Sequence, residues 1–135
     1  MDERIRLEVI TPERILLSED VYSTLIPGVE GEFQVYAGHT PFLTDLAVGR
    51  IVYMLGGSRS SLCISGGFCE VTPSRILVLA RTAETPEMID RARAEAARDR
   101  AKKRLAEKKA APIDEARAKL ALLRATARIE TASLR

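Results

Sequence analysis

The chain has 135 residues, 46% hydrophobic and 30% charged, with a formal net charge of +2. That length suits one main core plus an appendage, the composition excludes a disordered acidic tail, and no apolar run nears the roughly 20 residues of a membrane-spanning helix. The opening Met1-Asp2-Glu3-Arg4-Ile5-Arg6 has neither the apolar stretch of a secretory signal nor the acid-poor, Ser-rich make-up of a transit peptide, so a soluble chain that is not exported is expected.

Short apolar or alternating runs, the mark of strands, fill the chain to about residue 82. The runs are 5–10, 14–19, 21–26, 32–36, 43–46, 49–55, 61–65, 68–71 and 75–79. Between them stand Thr11-Pro12, Pro27-Gly28, Gly38, Gly56-Gly57-Ser58, Gly66-Gly67 and Thr72-Pro73-Ser74, all suited to turns. A single sheet of so many strands would leave one apolar face wet, which predicts two packed sheets. Within this segment Cys63 and Cys69 are too few for a disulfide framework. With His39 the only imidazole, they do not complete a four-ligand zinc site either, and they read as packed thiols. His39, between Gly38 and Pro41, reads as a hydrogen-bonding turn residue. Glu30 and Glu32 flank Gly31 with no other candidate acid or base nearby in sequence, so a contact to a partner is the better reading.

The period changes at Thr85-Pro86, where Thr85 can cap a helix and Pro86 can fill its first position. One helix is predicted from there to about residue 109, with a narrow row of Ala94, Ala97, Ala101 and Leu105. Pro112 is expected to end the run and Asp114 to cap a second helix with the row Ala116, Leu120, Leu123 and Ala127. Two thin Ala/Leu stripes joined by a short link predict an antiparallel hairpin. Small alanines bury little area at about 25 cal/mol per Å², so the hairpin is expected to dock weakly and to suit switching. A static dimerisation arm stands as the alternative.

The net charge hides a division. Residues 1–85 carry 7 Lys and Arg against 11 Asp and Glu, and residues 86–135 carry 14 against 8. A basic arm on an acidic body points to an acidic partner. Nucleic acid is a poor fit, because no aromatic residue follows Phe68 and the cations alternate with acids. A catalytic reading fails as well: the sequence has no glycine-rich phosphate loop, no metal-binding histidine set and no Ser/His/Asp constellation. On the second helix Arg117, Arg124 and Arg128 are spaced by seven and four and share a face; on the first, Asp90 and Arg93 are three apart. A closed hairpin could bring both sets together as bidentate donors for phosphates, with Asp90 for a ribose or base donor. Ordinary salt bridging between helices is the competing account.

These residues carry a resemblance that covers nearly the whole chain. Pro27-Gly28-Val29-Glu30-Gly31-Glu32-Phe33, Gly38-His39-Thr40-Pro41-Phe42-Leu43, Gly49, Ser65-Gly66-Gly67-Phe68 with Glu70-Val71, Val78-Leu79-Ala80 and the paired Ala-rich helices resemble the epsilon subunits of bacterial F-type ATP synthases. The resemblance implies an α+β chain, a ten-strand β-sandwich over residues 1–85 followed by a two-helix hairpin over 86–135. It implies a non-catalytic rotor subunit, needing no cofactor, peripheral on the cytoplasmic face of the bacterial inner membrane. Its implied partners are the gamma subunit, the c-ring through Glu30, Gly31 and Glu32, and the alpha/beta catalytic subunits, which the extended hairpin would inhibit through the basic face of Arg117, Arg124 and Arg128. Ile89-Asp90-Arg91-Ala92-Arg93-Ala94 is similar to the family's ATP-binding motif. On that match Glu84, Ile89, Asp90, Arg93, Ala94, Arg124 and Arg128 are candidate contacts for ATP as a regulatory ligand. Gln34, where glycine is common, and the proline of the 108–112 link depart from the pattern. Against this stands a free-standing β-sandwich module whose helices dimerise.

Overall fold

A computed structural model describes residues 3–107 and 112–133. Its first part is built from eight strands: β1 (Ile5–Ile10), β2 (Ile15–Val21), β3 (Ser23–Gly28), β4 (Gly31–Val35), β5 (Phe42–Leu55), β6 (Ser58–Val71), β7 (Arg75–Ala80) and β8 (Ala83–Glu84). Hydrogen bonding runs in the order β2-β1-β7-β6-β5-β3-β4, with β8 on β6, and every pairing is antiparallel except β1 with β7. The period-2 pattern turns Ile5, Leu7 and Val9 of β1 inward with Ile76, Val78 and Ala80 of β7, and these join Ile26, Val35, Ile51, Leu62 and Ile64 in one core.

The structure has eight strands where the resemblance implies ten: of the nine runs, 43–46 and 49–55 are one strand, as are 61–65 and 68–71, and the short β8 lies beyond the last run. Gly66 and Gly67 lie inside β6, not between strands, and both have positive φ (95° and 137°). They redirect one continuous strand from its partner β8 at residues 63–64 to its partner β7 at residues 67–71. Gly67 has no freedom to be anything larger, since a Cβ there would lie 2.2 Å from the Leu79 carbonyl oxygen.

After β8 a short 3-10 turn (Pro86–Met88) precedes α1 (Arg91–Ala106) and α2 (Pro112–Ala132). Thr85 flanks the turn without a side-chain bond, so the expected cap fails there. Asp90 does the capping instead, its carboxylate accepting from the Arg93 amide at 3.1 Å. α1 stops at Ala106, with Glu107 extended, a turn short of the expected end. Residues 108–111 of the connection lie outside the described residues. Pro112 begins α2 instead of ending α1, as its missing N–H allows, which leaves Asp114 in the first turn and not at the cap.

Of the row expected on the second helix only Ala127 is buried. Ala118, Ala125, Ala127, Thr131 and Ala132 are buried, while Ala116, Leu120 and Leu123 are exposed. α2 lies between α1 on one side and β5 and β6 on the other. Both neighbours approach closely, so the smallest side chains, with Ala94 and Ala101 of α1, occupy the seams.

Candidate functional site

Where the start of α1 meets the end of α2 and β8, a cleft of about 370 Å³ opens. Glu84, Ile89, Asp90, Arg93, Ala94 and Arg128 line it, together with Met88, Ala97 and Arg100. Arg128 donates from Nε to Glu84 Oε1 at 2.7 Å, so this cation is already neutralised. The side chains of Arg93 and Arg100 form no ion pair among the described residues. The cleft therefore offers two free guanidinium groups and a third held by a carboxylate, with Asp90 at its edge, a donor set suited to an anion with several oxygens.

Arg124 is not part of that lining, although the spacing pairs it with Arg128. Four residues carry it about 6 Å back along the helix and roughly 40° round it. It lines instead a groove of about 860 Å³ with Leu120 and Leu123, facing Val29, Asp45 and Arg81 of the sandwich. Arg117 is exposed and lines neither. The expected single face of Arg117, Arg124 and Arg128 is thus divided in the docked hairpin between solvent, groove and cleft.

Sequence reasoning missed Arg100 and Met88. Arg100 follows Arg93 by seven residues, two turns along one face, a signal present in the spacing and not used. Met88 belongs to the 3-10 turn, which no periodicity announced, and its sulfur lies 3.5 Å from Arg14 Nη2 of the sandwich.

The hairpin of β3 and β4 turns through Val29 and Glu30, where Gly28 pairs with Gly31 and Gly31 adopts φ 133°. Glu30, Gly31 and Glu32 are exposed at this tip, and Phe33 and Phe42 meet edge to face behind it at 5.2 Å. A second surface lies on the outer side of the β1-β7-β6-β5 layer. The register puts Leu43, Glu70, Leu77 and Glu8 side by side, with Phe68, Leu79 and Ile10 two residues along their own strands. Leu43 and Leu79 are 57% and 45% exposed, so the outer face is apolar where a lone sandwich would favour polar residues.

The two segments match two families in succession: residues 4–86 match "ATP synthase, Delta/Epsilon chain, beta-sandwich domain" and residues 87–133 match "ATP synthase, Delta/Epsilon chain, long alpha-helix domain". The chain belongs to the ATP synthase delta/epsilon chain family. Among relatives of this delta/epsilon chain, the ATP synthase epsilon chain of Nitratidesulfovibrio vulgaris is 46% identical over 96% of both chains. That of Syntrophobacter fumaroxidans is 46% identical over 98% of both. Among solved structures, a chain of the Euglena gracilis mitochondrial ATP synthase, in a complex described as OSCP/F1/c-ring, superposes with a TM-score of 0.82 at 26% identity, covering 96% of this chain and 81% of that one. A chain of the Tetrahymena thermophila mitochondrial ATP synthase gives a TM-score of 0.63 at 13% identity over 96% and 97%, a likeness of fold alone. The relatives are epsilon chains, which are central-stalk subunits of the F-type enzyme and not its catalytic ones. A free-standing dimerising module is set aside, since both segments match one family in order. Among the described residues of the delta/epsilon chain no helix is long and apolar enough to cross a membrane.

Proposed function

We propose that this epsilon-type chain works as a rotor coupling piece whose hairpin is a detachable regulatory arm, on the cytoplasmic face of a bacterial inner membrane. The observation that carries this reading is the small seat of the arm. Besides the polar contacts of Arg128 with Glu84, Arg50 with Glu130 and Ser61 with Thr131, α2 rests on the sandwich through Ala127 and Ala132 packed with Cys63, with Val48 and, from the segment before α1, Ile89 beside them. Three of those five side chains are no larger than cysteine, so the apolar gain at about 25 cal/mol per Å² is modest and the arm can lift without unfolding the sandwich core.

The apolar outer face with Leu43 and Leu79 supplies a docking surface for gamma, and the exposed tip of Glu30, Gly31 and Glu32 a polar contact for the c-ring loops. Once lifted, the basic helices would meet acidic segments of the alpha/beta ring and restrain ATP hydrolysis. ATP is the ligand proposed for the cleft, its phosphates on Arg93, Arg100 and Arg128 and its base or ribose near Asp90. Such a ligand favours the docked arm only through its greater affinity for that state, and the cleft supports this because α1, α2 and β8 all contribute to it.

Removing the residues after Thr85 tests the arm. In the assembled enzyme the truncation should raise ATP hydrolysis while the sandwich stays bound to gamma; hydrolysis unchanged across ATP concentrations would contradict a regulatory arm.

A further inference from the structure

A helix leaves its last four carbonyls without intrahelical partners, and its C-terminus carries partial negative charge. Among the described residues no amide reaches the carbonyls of Glu130, Thr131 and Ala132 at the end of α2, and no Lys, Arg or His stands in its last turn. The Ile129 carbonyl is met locally by the amide and hydroxyl of Ser133 at 3.1 and 2.9 Å. The next two are met from the other segment. Arg50 Nη1 of β5 donates to the Glu130 carbonyl and Ser61 Oγ of β6 to the Thr131 carbonyl, each at 3.5 Å.

The strand register explains why these two residues are available. Arg50 is paired directly with Cys63, and Ser61 precedes Cys63 by two, so all three point to the same side of the β5–β6 ladder, beneath α2. Ser61 and Thr131 are 2% and 0% exposed, so water is excluded as the alternative partner of that carbonyl. Arg50 also brings the cation that the helix end lacks, with Nε 3.7 Å from the Glu130 carboxylate.

We propose that Arg50 and Ser61 are the C-terminal cap of α2, supplied by the sandwich, so that the last turn of the helix is completed by docking. Lifting the arm then removes these two donors from Glu130 and Thr131, and the position of the arm is coupled to the helical order of residues 129–133. This coupling rests on the reading of the hairpin as an arm that lifts, whereas the cap itself does not.

Two readouts on the full chain separate them: hydrogen exchange at the end of α2, and thiol labelling of Cys63, which α2 covers, against Cys69, which the sandwich core covers. Arg50→Ala and Ser61→Ala should each speed exchange of the residue 130–133 amides about fivefold, the factor for one hydrogen bond. Glu130→Gln keeps the carbonyl and removes only the carboxylate charge, so exchange should stay near wild type. No change in the double Arg50→Ala, Ser61→Ala variant would overturn the cap. An equal rise in Glu130→Gln and Arg50→Ala would also overturn it, leaving an ordinary surface ion pair. Faster Cys63 labelling in the cap variants, with Cys69 unchanged, is the result expected of the coupling. Rapid exchange with Cys63 as protected as Cys69 would keep the cap and refute the lifting arm.

Discussion

Arg128 and Glu84 meet at 2.7 Å across the join of helix and sheet, and their pairing leaves Arg93 and Arg100 as the uncommitted cations of the cleft. A polyphosphate should draw most on these two, through charge-assisted hydrogen bonds worth roughly 1.5–3 kcal/mol each. Arg93→Ala is expected to weaken ATP binding to the full chain about tenfold or more, since about 1.4 kcal/mol already gives that factor. Arg91→Ala is the matched control, because Arg91 is tied to Glu95 and lies outside the lining. Titration calorimetry reads both; equal losses would mean that ATP senses only net charge. At this scale the sequence was partly legible. Asp90 and Arg93 were visible from a spacing of three, yet Asp90 spends its carboxylate on the Arg93 amide as a helix cap, a role that spacing does not separate from ligand binding. Arg124 lines the groove and not the cleft, and a shared helical face says nothing of where the neighbouring sandwich loops lie.

Elements were read well where one neighbour decides burial and poorly where two do. The alternating runs of β1 and β7 came through because each has one face on the core. Gly66 and Gly67 misled because glycine serves both a turn and a bend within a strand, and only the partners of β6 tell them apart. In α2 the size of Leu120 and Leu123 suggested the seam, yet close approach on two sides selects alanine. Burial of the thiols has a measurable consequence for these layers. It pushes Cys63 from the ordinary 9.0 up to about 11 and Cys69 up to about 12, with nearby carboxylates adding to the rise. A folded-state pKa above the unfolded one contributes stability that is complete below about pH 9. That contribution is lost as pH climbs through about 11 for Cys63 and about 12 for Cys69. Each pH unit above 9 should cost about 1.4 kcal/mol per thiol. Urea midpoints at pH 8 and pH 10 should therefore fall more steeply in the wild-type chain than in the Cys63→Ala, Cys69→Ala variant; parallel slopes would show that neither thiol is held protonated by the fold.

For the whole molecule, the change of period at Thr85 and the division of charge announce an acidic body and a basic arm from the sequence alone. What they left open was the seat of the arm, because Arg50, Ser61 and Cys63 lie in β5 and β6, far in sequence from the helix they hold. The face proposed for gamma was hidden too: Leu43 and Leu79 look like core positions in a run of apolar residues, and only the register turns them outward. Gamma is expected to assemble on that face. The direct measurement is affinity isolation of the detergent-extracted synthase from cells in which a tagged form of this chain replaces the native copy, alongside a Leu79→Glu variant whose folding is checked by circular dichroism. Gamma and the catalytic subunits should co-purify with the tagged wild-type chain in fixed stoichiometry, and the folded Leu79→Glu chain should be recovered without them; a wild-type chain recovered free of gamma, alone or as a homodimer, would contradict the account.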